Sequence, residues 1–323
     1  MRLKDLHALP KVRDSLSYLY VEHKRIDRDQ KAIALHDVNG SVQVPCAGLT
    51  TLMLGPGTTI THAAVETLAD CGTLVVWGGE QGVRFYAQGT GETRAARNML
   101  RQAYLCTHAP LRLRVVRRMY EVRFEEKLDP SLTLQQIRGR EGIRIRQAYA
   151  VASRESGVIW NGRSYKREKW SDADPVNRAL SAANSCLYGI CHAAIVSAGY
   201  SPALGFIHTG KMLSFVYDIA DLYKVELIVP MVFNLVAEFG DSNIEREIRH
   251  RCRDMFHSGR LLQRIVPEID AVLDVLEPGE PVEADFDSDD ALPGGLWNPD
   301  AETVSGGVNW AEESTNGEEE SPW

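Results

Sequence analysis

Hydrophobic and polar residues alternate in short runs along the first quarter of the chain, then settle into a three-to-four-residue period. Strand-like runs are Leu16 to Val21, Ala32 to Leu35, Val42 to Val44, Thr51 to Leu54, Thr73 to Trp77 and Val83 to Tyr86. Turn formers separate them: Asn39-Gly40, Gly55-Pro56-Gly57, Gly78-Gly79 and Gln81-Gly82. One helix is predicted among the strands, from about His62 to Ala69, closed by Gly72. After a Gly89-to-Gly91 linker the helical period begins at about Glu92. Its clearest segment is 174–200, with Asp174 as N-cap, Pro175 at the first helical position and Gly199 past the end. The seam of that helix runs Leu180, Ala183, Leu187, Ile190, Ala194, Ala198, and segments 216–238, 241–257 and 259–274 continue the pattern. Arg112 to Val116 alternates like a strand, but the unbroken run to Leu128 favours helix. The pattern therefore predicts an α+β protein: a β domain over 1–88, a linker over 89–93, an α-helical domain over 94–276 and a tail over 277–323.

Charge sharpens this division. The 323 residues carry a formal net charge of −8, which on its face argues against a nucleic-acid partner. Residues 277–323, however, hold fourteen acids and no Lys or Arg. Without them, 36 basic side chains face 30 acidic ones, a net of +6. Basicity peaks over 94–146, where thirteen Lys/Arg face five acids. The acidic tail contains three of the six tryptophans, Trp297, Trp310 and Trp323, in a Gly- and Pro-rich background. Disorder is expected there from about Pro278, with Ala291 to Trp297 as a docking segment for a partner, or the whole as a solubilising tail. The six cysteines include no CxxC pair and read as small buried hydrophobes. Neither a signal core behind Met1 nor a run of eighteen apolar residues is present, so a soluble, cytoplasmic protein with no membrane partner is expected.

Two segments carry chemistry. Gly205 to Asp221 brings His208, Asp218 and Asp221 within fourteen residues, a histidine on a Thr209-Gly210 turn and two acids three apart on a helix. Oxygen ligands with one imidazole suit Mg²⁺ or Mn²⁺ better than Zn²⁺. Alternatively, the acids complement the dipole of a helix that Ser214 caps. The second segment, Gln136 to Arg146, sets Glu141 between Gly139 and Gly142 and among Arg138, Arg140, Arg144 and Arg146. Glu141 is then either a surface ion pair or a third acidic ligand beside a phosphate-binding surface. No GxxxxGK, GxGxxG or HExxH motif competes with this reading.

These residues resemble the CRISPR-associated integrase, the catalytic subunit of the spacer-acquisition complex, in its type I-E form. The resemblance runs from about Tyr18 to Leu276. It is densest in Glu141-Gly142, Val158 to Arg163, Ser185 to Gly189, Ala198 to Tyr200, Gly205 to Asp221 and Arg251 to Asp254. It implies a β-sandwich-like N-terminal domain followed by an all-α catalytic domain. It also implies a metal held by Glu141, His208 and Asp221, with Asp218 as a helper. The activity implied is joining of 3′-OH ends of short duplex DNA into the leader-proximal repeat of a CRISPR array. The implied assembly is a homodimer, two of which are bridged by a small ferredoxin-like second adaptation protein into a heterohexamer. Lys211 would stabilise a leaving group, or is an ordinary solvated lysine. Tyr188 and Tyr217 would face the site, or only pack. DNA contacts are expected at Arg138, Arg144, Arg146 and Arg163, at Tyr165, Lys166 and Trp170 of the next loop, and at Arg84. His23 stands where some relatives place an aromatic wedge against the duplex end. Two other functions are open: a structure-specific metal-dependent endonuclease using the same site, and a non-catalytic DNA-bridging scaffold.

Overall fold

The computed structural model describes residues 18–80, 84–90, 96–163 and 174–276, and the backbone of 296–298 and 301–304. The chain is mixed α+β, strands first and helices after. β1 (Tyr18–Val21), β5 (Thr51–Leu54), β7 (Leu74–Gly78) and β8 (Phe85–Gly89) form one four-stranded sheet in that order. β4 (Gly40–Pro45), β3 (Ala32–Asp37), β2 (Arg25–Asp29) and β6 (Thr59–Ile60) form the other. α1 (His62–Asp70) follows β6, capped by the Thr61 side chain. Val21, Ile26, Ile33, Leu52, Leu54, Leu68 and Val75 bury a common core between the sheets and α1.

The first sheet is parallel from β1 through β5 to β7, and its inner strands are buried on both faces. That explains their continuous apolar spelling, since covered parallel strands have no solvent face to alternate with. Leu52, Leu54 and Val75 face the β core, whereas Met53, Leu74 and Val76 join the helical core. Thr51 completes the seam by donating its hydroxyl to Ser197 Oγ at 2.8 Å. His192 stacks on Phe85 with ring centroids 3.6 Å apart, and burial pushes its pKa down to about 4, so the seam carries a neutral imidazole at neutral pH.

Two strands of the N-terminal sheets escaped the sequence pattern. β2 reads Arg-Ile-Asp-Arg-Asp, in which Ile26 alone is apolar, and its ladder to β3 is what defines it. β6 has two residues and exists only by pairing with β2. The strand predicted up to Tyr86 continues to Gly89, so the first sheet extends one residue past the expected boundary.

The helical part comprises α2 (Arg97–Thr107), α3 (Ala109–Phe124), α4 (Leu134–Ser156), α5 (Pro175–Ser197), α6 (Ser214–Tyr223), α7 (Val229–Phe239), α8 (Ile244–Ser258) and α9 (Leu261–Leu273). α5 is the central element, with α6, α7, α8 and α9 packed around it. It begins as expected, Asp174 accepting from Asn177 N–H and Pro175 opening the helix. By length and hydropathy it could cross a membrane, but 61% of that apolar stretch is buried inside the protein. A π-helical turn, Lys224–Ile228, joins α6 to α7. Pro230 accounts for it, because a proline inside a helix lacks an N–H and its ring collides with the carbonyl four residues back.

All six cysteines are free. The disorder expected from Pro278 falls outside the described residues except at Leu296–Asn298 and Ala301–Val304. There the expectation is corrected: the two segments pair as antiparallel strands, β9 and β10. Pro299 and Asp300, which lie between them in sequence, are turn formers.

Candidate catalytic centre

The loop between α5 and α6 is built around one carboxylate. Asp218 is fully buried. Its oxygens accept the backbone N–H of Phe206 at 2.6 Å, Ile207 at 3.1 Å and His208 at 2.9 Å, and the His208 ring at Nδ1 at 2.7 Å. Charge-assisted acceptance of this kind fixes both loop and imidazole. Gly205 is required where the loop turns in: a side chain would meet the His208 carbonyl and would stand 2.7 Å from Ser214 Cβ. From outside, Arg112 donates to the Phe206 carbonyl at 2.8 and 3.0 Å, and Gln102 to the Ser201 and Leu204 carbonyls at 3.0 and 2.9 Å.

Ser214 does not cap α6. The N-cap position is Leu213, and the Ser214 hydroxyl closes the preceding turn on Lys211 N–H and C=O. No acid lies in the first turn of α6, so the dipole explanation for the aspartates fails. Asp221 sits near the opposite end, where only its contacts account for it. These are Lys224 Nζ at 2.6 Å, Arg123 Nη2 at 3.5 Å and His208 Nε2 at 4.0 Å.

Glu141 arrives from α4, whose start is fixed by a capping box between Thr133 and Gln136. Ile137 and Glu141, four apart, lie on its buried stripe. Glu141 meets Arg144 Nη1 at 3.3 and 3.5 Å and Arg123 Nη1 at 3.7 Å. The structure thus gathers Glu141, His208, Asp218 and Asp221 at one place. Tyr188 and Tyr217 border it: their rings lie 5.0 Å apart, Tyr217 is edge-on to His208 at 5.8 Å, and Lys224 Nζ lies 3.4 Å from Tyr188 OH. Burial pushes the Tyr188 phenol up. The hydrogen bond to Asp218 raises the His208 pKa against the opposing effect of burial.

Sequence reasoning missed Arg123 and Lys224. Arg123 lies on the apolar stripe of α3 with Val115, Val116, Met119 and Tyr120. An arginine on such a stripe is a signal that could have been read. Lys224 was also legible, because it stands three residues after Asp221 at the end of α6, the ordinary spacing of a helical ion pair. Burial pulls the Lys224 pKa down, but the charge of Asp221 and the Tyr188 phenol outweigh it and leave the pKa raised.

The expected DNA contacts divide. Arg138 and Arg146 are exposed on α4, Arg84 is exposed just before β8, and Lys211 is exposed before α6. Arg144 is engaged by Glu141. Arg163 is partly buried, its guanidinium donating to Asn177 O and Oδ1 at 3.0 and 3.1 Å and to Ser181 Oγ at 2.9 Å. Trp160 of the same motif stacks on Tyr149 at 4.7 Å. The motif joins α4 to α5, and packing accounts for it. His23 is exposed in the β1–β2 turn at φ 52°, its N–H bonded to the Pro56 carbonyl. Tyr165, Lys166 and Trp170 lie outside the described residues.

The donor set fits a hard divalent cation in kind: two carboxylates, and an imidazole whose Nδ1 is held by a buried carboxylate so that Nε2 is directed at Asp221. It is not closed around one point, since no three His, Cys, Asp or Glu among the described residues stand close enough to hold an ion. Arg123 stands between Glu141 and Asp221.

Known proteins resemble this chain over most of its length. The sequence pattern described as "CRISPR associated protein Cas1" matches residues 121–240, the span from α3 to α7. CRISPR-associated endonuclease Cas1 2 of Thermus thermophilus is 53% identical over 308 residues, covering 94% of this chain and 93% of its own. CRISPR-associated endonuclease Cas1 of Escherichia coli is 44% identical over 276 residues, covering 85% and 89%. The crystal structure of a TtCas1–DNA complex superposes with a TM-score of 0.77 at 54% identity, covering 83% of this chain and all of that one. Cas1 of Thermotoga maritima shares the fold at a TM-score of 0.53 and 15% identity. With its strand-first, helix-second architecture and its match over nearly the full length of such relatives, the chain belongs to the Cas1 family of CRISPR-associated endonucleases.

Proposed function

We propose that the protein is a metal-dependent DNA integrase, of the type I-E form, that joins the 3′-OH ends of short duplex fragments into the repeat of a CRISPR array by transesterification. The observation that carries this is His208, locked by buried Asp218 with Nε2 toward Asp221, and Glu141 across from them. A divalent cation, Mg²⁺ or Mn²⁺, held by Glu141, His208 and Asp221 would lower the pKa of the attacking hydroxyl and neutralise charge on the phosphoryl oxygens. The chain supplies the rest. Asp218 keeps the proton on His208 Nδ1 and so leaves the Nε2 lone pair available. Tyr188 and Tyr217 wall the site and limit the positions that the reacting ends can take. Lys211, exposed on the turn before α6, provides a point charge for the leaving oxygen.

DNA is assigned to the exposed arginines of α4, Arg138 and Arg146, with Arg84, Arg144, Lys166 and the Tyr165 and Trp170 rings. His23 would abut the duplex end. The related TtCas1 crystallised with DNA supports DNA as the partner. The assembly would be a cytoplasmic homodimer bridged to a second dimer by the small ferredoxin-like adaptation protein. Residues 1–88 and 94–276 would act as its β and catalytic domains, and 277–323 as a tail that contacts a partner. Endonuclease action by the same site, with water as nucleophile, is the second reading; the relatives, named as endonucleases, favour it. A non-catalytic scaffold is disfavoured, because its acids would need a helix-dipole role they do not have.

A strand-transfer assay with a labelled 3′-OH duplex and a repeat-bearing plasmid tests the proposal. Joined product should form with Mg²⁺ or Mn²⁺ and vanish in EDTA. Cleavage without joining would favour the endonuclease reading, and activity indifferent to EDTA would end the metal assignment. Duplex binding should also weaken steeply with salt, by about 10³ or more between 50 and 200 mM for six or more phosphate contacts. Reversing Arg138 and Arg146 to Glu should flatten the log–log slope by roughly 2, measured by fluorescence anisotropy. An unaltered slope would place the DNA on another face.

A further inference from the structure

The centre contains its own cations, and their placement has a consequence for how it takes a metal. Arg123 is 3% exposed at its side chain, yet it is poorly bonded. Its two arms stand at 3.7 Å from Glu141 and 3.5 Å from Asp221, ion-pair but not hydrogen-bond distances. Its one hydrogen bond at the centre is to the Asp218 carbonyl at 3.3 Å, and Nε meets no acceptor among the described residues. The guanidinium is held from behind by the face of Tyr120, 5.2 Å away. A buried guanidinium does not lose its proton, so this charge is permanent. Lys224 adds a second cation on the other oxygen of Asp221, at 2.6 Å, and lies over Tyr188 at 5.5 Å.

Both cations therefore oppose a divalent ion at the carboxylates they face. They also offset the mutual repulsion of Glu141 and Asp221, which lets the two acids stand close together without a metal. A phosphate brought to the centre changes the balance, because its negative charge compensates the added ion.

We propose that Arg123 and Lys224 are positioning residues that space Glu141 and Asp221 and hold the affinity for divalent cations low until DNA phosphate arrives, so that cation and DNA load cooperatively. The inference rests on the metal-site assignment above. It predicts a gain, not a loss, when the cations are removed. Reciprocity requires DNA to tighten cation binding by the same factor that cation tightens DNA binding.

The test is Mn²⁺ titration of the full-length, EDTA-stripped protein, followed by the loss of the free-ion electron paramagnetic resonance signal, with and without a duplex bearing 3′-deoxy ends. Wild type should bind Mn²⁺ weakly alone and more tightly with the duplex. Arg123→Gln should bind Mn²⁺ about tenfold more tightly without DNA, and the duplex should add correspondingly less. Arg123→Lys, which keeps the charge, should stay near wild type. Lys224→Met should shift affinity the same way as Arg123→Gln, and it decides the matter if Arg123→Gln fails to fold. A structural defect alone would weaken Mn²⁺ binding, so unchanged or weaker binding by the folded variants overturns the inference. Wild type that binds no Mn²⁺ even with DNA, or His208→Ala that binds it equally well, instead removes the metal centre and this inference with it.

Discussion

Asp221→Ala, His208→Ala and Glu141→Ala should each abolish DNA joining while leaving duplex binding largely intact. The three side chains come from the loop after α5, from α6 and from α4, and they meet only in the folded protein. Removing one removes stabilisation present only in the transition state, about 3–5 kcal/mol or 10²–10⁴ in rate. Affinity is a separate quantity, supplied mainly by phosphate contacts spread over exposed arginines. The two therefore come apart in a paired measurement of strand transfer and anisotropy. A variant that joins at near the wild-type rate would refute its assignment as a ligand. One that loses binding in parallel would instead be a DNA contact or a misfolded protein.

Asp218→Ala is expected to be the most damaging single change in this region, for a different reason. The sequence suggested a mild helper, but the structure makes it the acceptor for three backbone N–H groups and the His208 ring. Truncation would leave these donors without a partner in a buried site. Unsatisfied buried donors cost about 1–3 kcal/mol each, so a loss of roughly 3–5 kcal/mol in stability is expected. The melting temperature should fall by several degrees, and joining should fail because His208 loses its orientation. Asp218→Asn keeps the shape but can accept at only one oxygen, and should be intermediate in stability while still impaired in joining. An Asp218→Ala protein that melts like wild type would show that the loop is held elsewhere, by Arg112 and Gln102.

Much of the fold was legible because local signals and burial agreed. Asp174, Pro175 and Gly199 bracket α5, and Gly72 closes α1, because caps are short-range chemistry. The covered strands β5 and β7 were visible as apolar runs. β2 was hidden because a strand with one buried residue carries no period, and only its neighbours in the sheet make it a strand. The arginine-rich motifs did not show every partner. Arg163 reads as a phosphate ligand beside Trp160, Tyr165 and Trp170, and the fold also gives it three acceptors at the start of α5, Asn177 O and Oδ1 and Ser181 Oγ, which the spacing along the chain does not reveal.

At the centre itself, sequence alone determined the residue types: a histidine on a glycine-bounded turn, two acids three apart on a helix and a glutamate among arginines. Those types follow from the chemistry of hard cations and phosphate, and spacing along one helix is enough to show them. Tertiary structure decided the roles. Which aspartate faces the site and which holds the loop depends on where the 205–208 backbone turns back over α6, a contact across ten to twelve residues. That Arg123 stands between Glu141 and Asp221 depends on how α3 packs against α4 and α6. Coulomb interactions act through space and not along the chain, so the charge that governs the site could be seen only once the helices were in place.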